Sequence, residues 1–245
     1  MKIFLAGSGW EKTCWANKDF FEFNRLESFI YISDFEKTII SKYNNFLLDS
    51  GAFTYLNKSK GQKIDWESYV NQYAEFIVKY NVQYFFELDI DPIVGLNEVE
   101  RLRLLLEKKK EKKCIPVWHK SRGLEYWKKM CKNYDYVAIG GIVTQEIKRS
   151  EYNVFFPLLR IAKENNCKVH GLGFTNLKGM EKYKFYSVDS TSWLSGNKFG
   201  SVYLFNGKTM IKQNKKPGQR VKTNEVAIHN FNEWVKFSNY AEKNL

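Results

Sequence analysis

The sequence has only four cysteines and no long apolar run, and both shortages narrow the class of protein. The cysteines are Cys14, Cys114, Cys131 and Cys167, and they lack the paired spacing typical of a zinc site. We therefore expect reduced, structural thiols in a cytosolic protein. The longest apolar runs, such as residues 137–141, are too short to span a bilayer, so no membrane partner is expected.

No linker, internal repeat or low-complexity segment divides the chain, so we predict a single domain over residues 1–245. Hydrophobic residues make up 44% of the sequence, which is enough for a sizeable core. Short apolar segments alternate with amphipathic segments about eight times, and this alternation favours parallel strands joined by helices. The predicted fold class is α/β, as a single (β/α)8 TIM-like barrel.

The predicted elements can be placed along the chain, with one strand left open. Strands are predicted at residues 3–6, 46–49, 82–89, 114–118, 136–140, 168–173 and 185–189. The strand that completes the barrel is either residues 29–32 or residues 201–205. Residues 10–23 are predicted to form a helix or an active-site loop. A helix capped by Asp65 is predicted, and another at about residues 225–242 closes the chain.

The chain carries a net charge of +12, which favours a polyanionic partner. Its abundant Lys, Asn, Tyr, Phe and Ile also match the composition that an AT-rich genome produces. Residues 207–222 contain no acidic residue, and we predict a basic loop there that contacts phosphate. Its candidate nucleic-acid-binding residues are Lys208, Lys212, Lys215, Lys216, Arg220 and Lys222.

Several predicted strands end on residues that can perform chemistry. These residues are Asp49, Asp89, His119, Gly140, Gly141, His170 and Asp189. Because the chemistry of such barrels collects at the carboxyl ends of the strands, we expect them to converge. Two separated carboxylates can carry a retaining displacement at a sugar carbon, in which one attacks and the other moves a proton. Asp49 and Asp189 are the natural pair.

Each of these residues also has a structural interpretation. Asp49 is a common residue in a turn that ends a strand, and Asp89 and Asp91 can cap a turn or hold a divalent metal ion. Gly140 and Gly141 can form a tight turn. His119, His170 and Phe53 can be core residues. The residues taken one at a time leave these alternatives open.

Five motifs follow one another between residues 46 and 193, and together they point to one family. They are Asp49-Ser-Gly-Ala-Phe53, Glu87-Leu-Asp-Ile90, Val137-Ala-Ile-Gly-Gly141, His170-Gly-Leu-Gly173 and Val188-Asp-Ser-Thr-Ser-Trp193. In this order they resemble the motifs of the tRNA-guanine transglycosylase superfamily. The resemblance implies a (β/α)8 fold and the exchange of guanine for a 7-deazaguanine in a nucleic acid.

The resemblance also implies a role for each matched residue. Asp189 is expected to be the nucleophile that forms a covalent glycosyl-aspartate, and Asp49 the general acid and base. Asp89 is expected to accept the N–H groups of the base. The other expected substrate contacts are backbone donors from Gly140 and Gly141, stacking by Phe53, and contacts of Ser50, His119 and His170. His119 stands where the bacterial tRNA enzymes have a glutamine that contacts the base.

Two differences from the family's tRNA enzymes indicate which branch of the family the chain resembles. No cysteine follows Cys167, so the C-terminal zinc site is lacking, and there is no added RNA-binding domain. The chain is therefore most similar to the phage branch that installs 7-deazaguanines such as preQ0 into DNA. We expect a pentosyltransferase that needs no cofactor and acts on DNA and the free base in the (host) cytoplasm, with a homodimer or an accessory protein left open.

Three alternatives to this function stay open at the level of sequence. The first is a tRNA-guanine transglycosylase without zinc. The second is a nucleic-acid-binding barrel without catalysis. The third is a glycoside hydrolase or metal-dependent barrel hydrolase that uses Asp49, Asp89 and Asp91.

Overall fold

A curled parallel sheet forms the centre of the protein, as seen in a computed structural model that describes residues 1–15, 21–55, 64–196, 200–214 and 222–245. The strands of the sheet are β1 (Lys2–Ala6), β2 (Phe21–Ser28), β3 (Tyr43–Asp49), β4 (Tyr84–Phe85), β5 (Val117–Trp118), β6 (Tyr136–Ile139), β7 (Lys168–Gly171) and β8 (Ser187–Ser190). The eight strands lie in the order β4-β3-β2-β1-β8-β7-β6-β5, and their pairings are parallel.

The sheet curls because side chains from distant strands pack inside it. One buried inner cluster contains Phe4, Ala6, Leu26, Leu47, Phe86, Ile115, Val117 and Ala138. Beyond β4 and before β5, Phe86 and Ile115 form a parallel bridge between the two edges of the sheet. The Ile115 N–H donates to the Phe85 carbonyl at 2.8 Å, and the Glu87 N–H donates to the Ile115 carbonyl at 3.1 Å. The predicted α/β class is confirmed, and the curled sheet is compatible with a (β/α)8 fold.

Helices follow most strands and cover the outside of the sheet. They are α1 (Glu11–Trp15), α2 (Asp34–Lys37), α3 (Trp66–Lys79), α4 (Asp91–Val94), α5 (Leu96–Lys110), α6 (Gly123–Asn133), α7 (Phe155–Glu164), α8 (Leu177–Lys182) and α9 (Thr223–Asn244). Short 3-10 helices lie at Ile40–Lys42, Ala52–Thr54, Lys120–Arg122, Arg149–Val154 and Ser192–Leu194. Within the described ranges, no helix is long and apolar enough to cross a membrane.

Helix α3 begins where the sequence predicts it to begin. The Asp65 side chain accepts the Ser68 N–H at 3.0 Å and so satisfies one of the unpaired donors at the helix start. Tyr73, Ala74 and Ile77 of this helix are buried in the main core. These three residues therefore belong to the inward face of α3.

Helix α9 packs on the outside of β1 and β2. Phe231 of α9 contacts Phe23 of β2, with ring centroids 5.1 Å apart, and the Ser238 hydroxyl donates to the Ile3 carbonyl at 3.0 Å. The antiparallel hairpin of β9 (Ser201–Phe205) and β10 (Met210–Asn214) lies on α9, where the Tyr203 N–H donates to Asn230 at 2.8 Å. The predicted closing helix is confirmed, with wider bounds.

The prediction for the remaining strand of the sheet is wrong in both of its forms. Residues 29–32 form a turn after β2, and within the described residues β9 pairs only with β10. The strand that completes the sheet is β2, which was not predicted. The segment of residues 10–23 contains α1 and the first residues of β2. The sequence of β2 reads Phe-Glu-Phe-Asn-Arg-Leu-Glu-Ser, so its polar residues hide it from any search for apolar runs.

Arg25 of β2 is fully buried because it is surrounded by carboxylates and carbonyls. Its Nε donates to Glu36 at 2.6 Å, its Nη1 donates to the Leu5 carbonyl at 2.8 Å, and its Nη2 pairs with Glu27. Tyr43 donates to the same Glu36 at 3.0 Å. This cluster ties β1, β2 and α2 together, since every buried charge needs its partner.

We expect Arg25→Met to lower the free energy of unfolding by about 3–5 kcal/mol, because the change leaves Glu27 and Glu36 buried without their cation. Lys37→Met is the matched control, since it breaks the exposed Asp34–Lys37 pair of the same helix and should cost less than about 1 kcal/mol. Urea unfolding followed by tryptophan fluorescence measures both changes. Equal losses in the two variants would show that the buried cluster does not stabilise this corner of the sheet.

Candidate active site

Three aspartates line one cavity of about 230 Å³ at the carboxyl end of the sheet: Asp49 ends β3, Asp189 lies in β8, and Asp89 follows β4 after a short gap. The cavity is lined by Leu26, Asp49, Phe53, Phe86, Asp89, Val117, His119, Gly140, Gly141, Val143, Thr144, Leu172, Gly173 and Asp189. Seven of the nine predicted catalytic and substrate-binding residues are therefore in one place. Two others, Ser50 and His170, are almost fully buried beside the cavity and do not line it.

The turn after β3 fixes Asp49. Gly51 has a φ of +72°, and a Cβ at this position would lie 2.5 Å from the Ser28 hydroxyl, so only glycine fits without strain. Helix α3 supports the turn from outside, because the Tyr73 hydroxyl donates to the Leu48 carbonyl at 3.0 Å and the Tyr69 hydroxyl to the Ser50 carbonyl. The Ser50 hydroxyl in turn accepts the Ala52 N–H at 3.4 Å. Ser50 thus shapes the turn, and no contact of its side chain with the cavity is seen.

The environment of Asp49 favours its protonated form. Burial raises the pKa of this carboxyl, and the negative charges of Asp89 and Asp189 raise it further. Hydrogen bonds from the backbone of Gly51 and Ser50 lower it, but the sum brings the pKa to about 7. A carboxyl with this pKa can both donate and accept a proton near neutral pH.

Asp189 is held by two donors on one oxygen. The Gly173 N–H donates to Asp189 Oδ1 at 2.6 Å, and His170 Nε2 lies 3.2 Å from the same atom. Among the described residues, no partner is seen for Oδ2, and 12% of the side chain is exposed. The carboxylate is therefore fixed through one oxygen and has the other available for reaction.

His170 is a positioning residue, fully buried between the strands and Asp189. Its Nδ1 lies 2.6 Å from the Ser187 hydroxyl, which is also hydrogen-bonded to the Tyr136 hydroxyl. The ring packs against Phe86, with centroids 5.3 Å apart. This chain of contacts orients the imidazole toward the Asp189 carboxylate.

His119 lies between two carboxylates at the rim of the cavity. Its Nε2 is 2.6 Å from Asp89 Oδ1, and its Nδ1 is 2.8 Å from Glu146 Oε2. Burial lowers the pKa of His119, but the hydrogen bonds and charges of Asp89 and Glu146 outweigh this effect and raise it to about 9. His119 is therefore an imidazolium at neutral pH, which offsets part of the negative charge of the cavity.

Sequence reasoning missed Glu146. The residue lies in the segment after Gly141, away from any strand end, so no position rule singles it out. Besides His119, its carboxylate accepts the Ser121 N–H at 3.1 Å. Glu146 can be assigned to the site only from the fold, because the pairing of β5 with β6 brings it close to His119.

Gly140 and Gly141 leave room for these neighbours. A Cβ on Gly140 would lie 2.7 Å from the His119 ring, and one on Gly141, with φ of +76°, would lie 2.7 Å from Glu146. The Gly140 N–H donates to the Trp118 carbonyl at 2.9 Å, so the prediction that it is a free donor is wrong. In the described part of the chain, the Gly141 N–H has no acceptor and is available to a ligand.

Asp91 is engaged outside the cavity. Arg122 donates to Asp91 through Nε at 2.6 Å and through Nη2, and its Nη1 donates to Glu87 at 2.9 Å. Asp91 is therefore the partner of a buried cation. Across the ranges that the structure describes, no group of three or more His, Cys, Asp or Glu residues is arranged to hold a metal ion.

Three of the six predicted basic residues lie in the described part of the chain, and they are not brought to the cavity. Lys208 and Lys212 belong to the hairpin that lies on α9, and Lys222 pairs with Glu225 at 2.9 Å. None of these three lines the cavity. Lys215, Lys216 and Arg220 lie outside the described residues, so their predicted contact with phosphate stays a prediction.

The sequence matches no protein-family model and no curated protein. What the site can do is therefore argued from its own chemistry. A carboxyl with a pKa near neutral and a fixed carboxylate with a free oxygen lie in one cavity, with an imidazolium beside them. This arrangement suits covalent displacement with proton transfer.

The raised pKa of Asp49 predicts a pH-dependent stability. Between pH of about 4 and 7 the folded chain holds a proton at Asp49 that the unfolded chain releases, so stability falls as the pH rises through this window. The loss reaches on the order of 4 kcal/mol above pH 7. We expect Asp49→Asn to remove this pH-dependent loss, so that the stability of the variant relative to the wild type increases between pH 4 and 8.

Asp34→Asn is the control for this titration. Asp34 is exposed, and its hydrogen bond with Lys37 lowers its pKa, so it titrates below the window. Urea midpoints of the wild type and both variants at pH 4, 6 and 8 measure the effect. Parallel pH curves for the wild type and Asp49→Asn would contradict the protonated state of Asp49.

Proposed function

We propose that the protein is a base-exchange transglycosylase that replaces guanine in DNA with a 7-deazaguanine such as preQ0 or a derivative. The observation that carries the proposal is the pairing of Asp49, whose pKa is about 7, with Asp189, whose carboxylate is fixed through one oxygen. Two carboxyl groups in different environments are what a retaining displacement requires. The resemblance of the motifs supports a guanine-like base.

In the proposed first step, Asp189 Oδ2 attacks C1′ of the target deoxyguanosine. The bond from C1′ to the base breaks, its electron pair leaves with guanine, and the Asp49 carboxyl gives guanine a proton. The sugar is then an ester of Asp189. Because the Gly173 N–H and His170 hold Oδ1, the attacking oxygen is presented without a search of side-chain rotamers.

In the second step, the free 7-deazaguanine occupies the same cavity. Asp49, now ionised, takes the proton from its N9, and N9 attacks C1′ while the ester bond to Asp189 breaks. The enzyme returns to its starting state, since Asp49 again carries a proton. No cofactor is required by this balance, because the ester conserves the energy of the broken glycosidic bond.

The walls of the cavity fit a guanine-like base. Asp89 has one oxygen engaged by His119 and the other available to accept the N–H groups of the base. The Gly141 N–H is available to a carbonyl oxygen, and Phe53, which is 38% exposed, offers a ring face for stacking. The His119 imidazolium orients the Asp89 carboxylate through the 2.6 Å contact between Nε2 and Oδ1.

The fold, the nucleic-acid substrate and the cellular compartment in the proposal are each supported by a separate observation. The bridge between Phe86 and Ile115 favours a sheet closed into a (β/α)8 barrel. The net charge of +12 favours a polyanionic substrate, and the absence of a cysteine after Cys167 favours the zinc-free DNA branch over the tRNA enzymes. Four free thiols suit a reducing cytoplasm.

The proposal is tested by mixing the protein with a labelled 7-deazaguanine and either guanine-containing DNA or tRNA. We expect label to enter DNA, and we expect Asp189→Asn to abolish its entry while the variant still unfolds like the wild type. Leu124→Ala, at an exposed position of α6, is the control. Label that enters only tRNA would contradict the choice of DNA, and undiminished exchange by Asp189→Asn would contradict the nucleophile.

The pKa of Asp49 predicts the pH dependence of the first step. Guanine release needs the protonated carboxyl, so kcat/KM should fall as the pH rises above about 7. Guanine release from DNA, measured between pH 5.5 and 9, checks this expectation. A rate that is level across pH 7 would exclude Asp49 as the acid.

A further inference from the structure

A second cavity, of about 750 Å³, adjoins the site and is also lined by Asp189. It shares Val143, Gly173 and Asp189 with the smaller cavity. Its remaining lining residues are Ile142, Gln145, Ile147, Lys148, Arg149, Ser150, Tyr152, Thr175, Asn176, Thr191 and Ser192. We call this larger cavity the groove. Asp189 therefore lies at the border between a small pocket and a much larger groove.

The groove differs in chemistry from the small cavity. Its lining contains two cations, Lys148 and Arg149, together with hydroxyl and amide side chains, and Asp189 is the only carboxylate among the lining residues. Lys148 and Arg149 are both exposed. The Glu151 carboxylate interacts electrostatically with Lys148, but it is held by Lys120 at 2.7 Å. The groove thus offers two exposed cations to an anion.

The segment that carries these cations is fixed at several points. The Ile147 N–H donates to the Gly141 carbonyl at 3.0 Å, and the Ile147 side chain is buried. Glu146 is held by His119, and the Lys148 N–H donates to Glu151 at 3.0 Å. Because the same segment forms part of the small cavity, the cations are held in a set position relative to it.

We propose that the groove binds the DNA strand that flanks the target nucleotide, with Lys148 and Arg149 contacting its phosphodiesters. The inference rests on the proposed function, since a nucleophile at C1′ needs the base on one side and the sugar-phosphate chain on the other. The border position of Asp189 meets this need. Thr175, Thr191 and Ser192 supply hydroxyl donors to phosphate oxygens along the groove.

The test compares Lys148→Gln/Arg149→Gln with the wild type in binding a fluorescent single-stranded DNA that contains one guanine, without acceptor base. Two lost phosphate contacts should make the slope of log K against log salt shallower by about 1.4, which is roughly a 25-fold loss of affinity at 0.1 M salt. Lys108→Gln/Lys109→Gln is the matched control. These exposed lysines lie at the carboxyl end of α5, away from the groove, and should leave the slope unchanged.

The outcomes separate this inference from the proposed function. If the wild type exchanges bases in DNA and the groove variant binds DNA with unchanged affinity and slope, the groove inference is overturned and the function stands. If the groove variant loses affinity but the wild type exchanges no base, the groove inference stands and the function is overturned. A loss of affinity confined to tRNA, or no binding of DNA by the wild type, overturns the groove inference.

Discussion

The closeness of three carboxylates in one small cavity is the constraint on which the site depends. Asp49, Asp89 and Asp189 repel one another there, and burial raises the cost of each charge. The protein meets this cost in three different ways. Asp49 takes up a proton, Asp89 lies against the His119 imidazolium, and Asp189 accepts the Gly173 N–H and contacts His170.

These different solutions give the carboxylates different chemical abilities. A carboxyl that gains and loses its proton near pH 7 can serve both halves of an exchange reaction. A carboxylate fixed through one oxygen can attack with the other, and one that contacts an imidazolium through one oxygen can accept hydrogen bonds with the other. The three carboxyl groups therefore differ in their chemistry because of their positions in the cavity, since all three side chains are aspartates.

Buried polar contacts elsewhere in the sheet support the positions of the three aspartates. Arg25 ties β1 and β2 to α2, and Arg122 ties Asp91 to Glu87 next to β4. Tyr73 bridges the carbonyls of Leu48 and Phe86 at 3.0 and 3.2 Å, just below Asp49 and Asp89. Because these groups are buried and paired, loss of one partner is costly, which keeps the strand ends in register.

Much of this arrangement can be predicted from the sequence, and the failures have physical causes. Asp49, Asp89 and Asp189 each close an apolar run in the sequence, and their convergence follows from the parallel topology, although β4 itself ends at Phe85. Strand β2 does not show, because Arg25 and Glu27 are buried through pairing that only the folded chain provides. A backbone donor on Gly140 looks free until β5 is placed beside β6.

Other parts of the site depend on contacts between distant segments and leave no local pattern. Glu146 belongs to the site through its contact with His119, which lies 27 residues earlier in the chain. The groove forms where residues near 148, 175 and 191 meet, and its cations stand outside the basic segment that draws attention in the sequence.

The central claim is that Asp189 forms a covalent bond with the sugar of a nucleic acid. The most direct measurement incubates the protein with guanine-containing DNA in the absence of acceptor base, traps the complex by denaturation, and maps the modified peptide by mass spectrometry. The account predicts a deoxyribosyl ester on Asp189. A trapped ester on another residue, or base exchange in DNA that proceeds through no covalent complex, would contradict it.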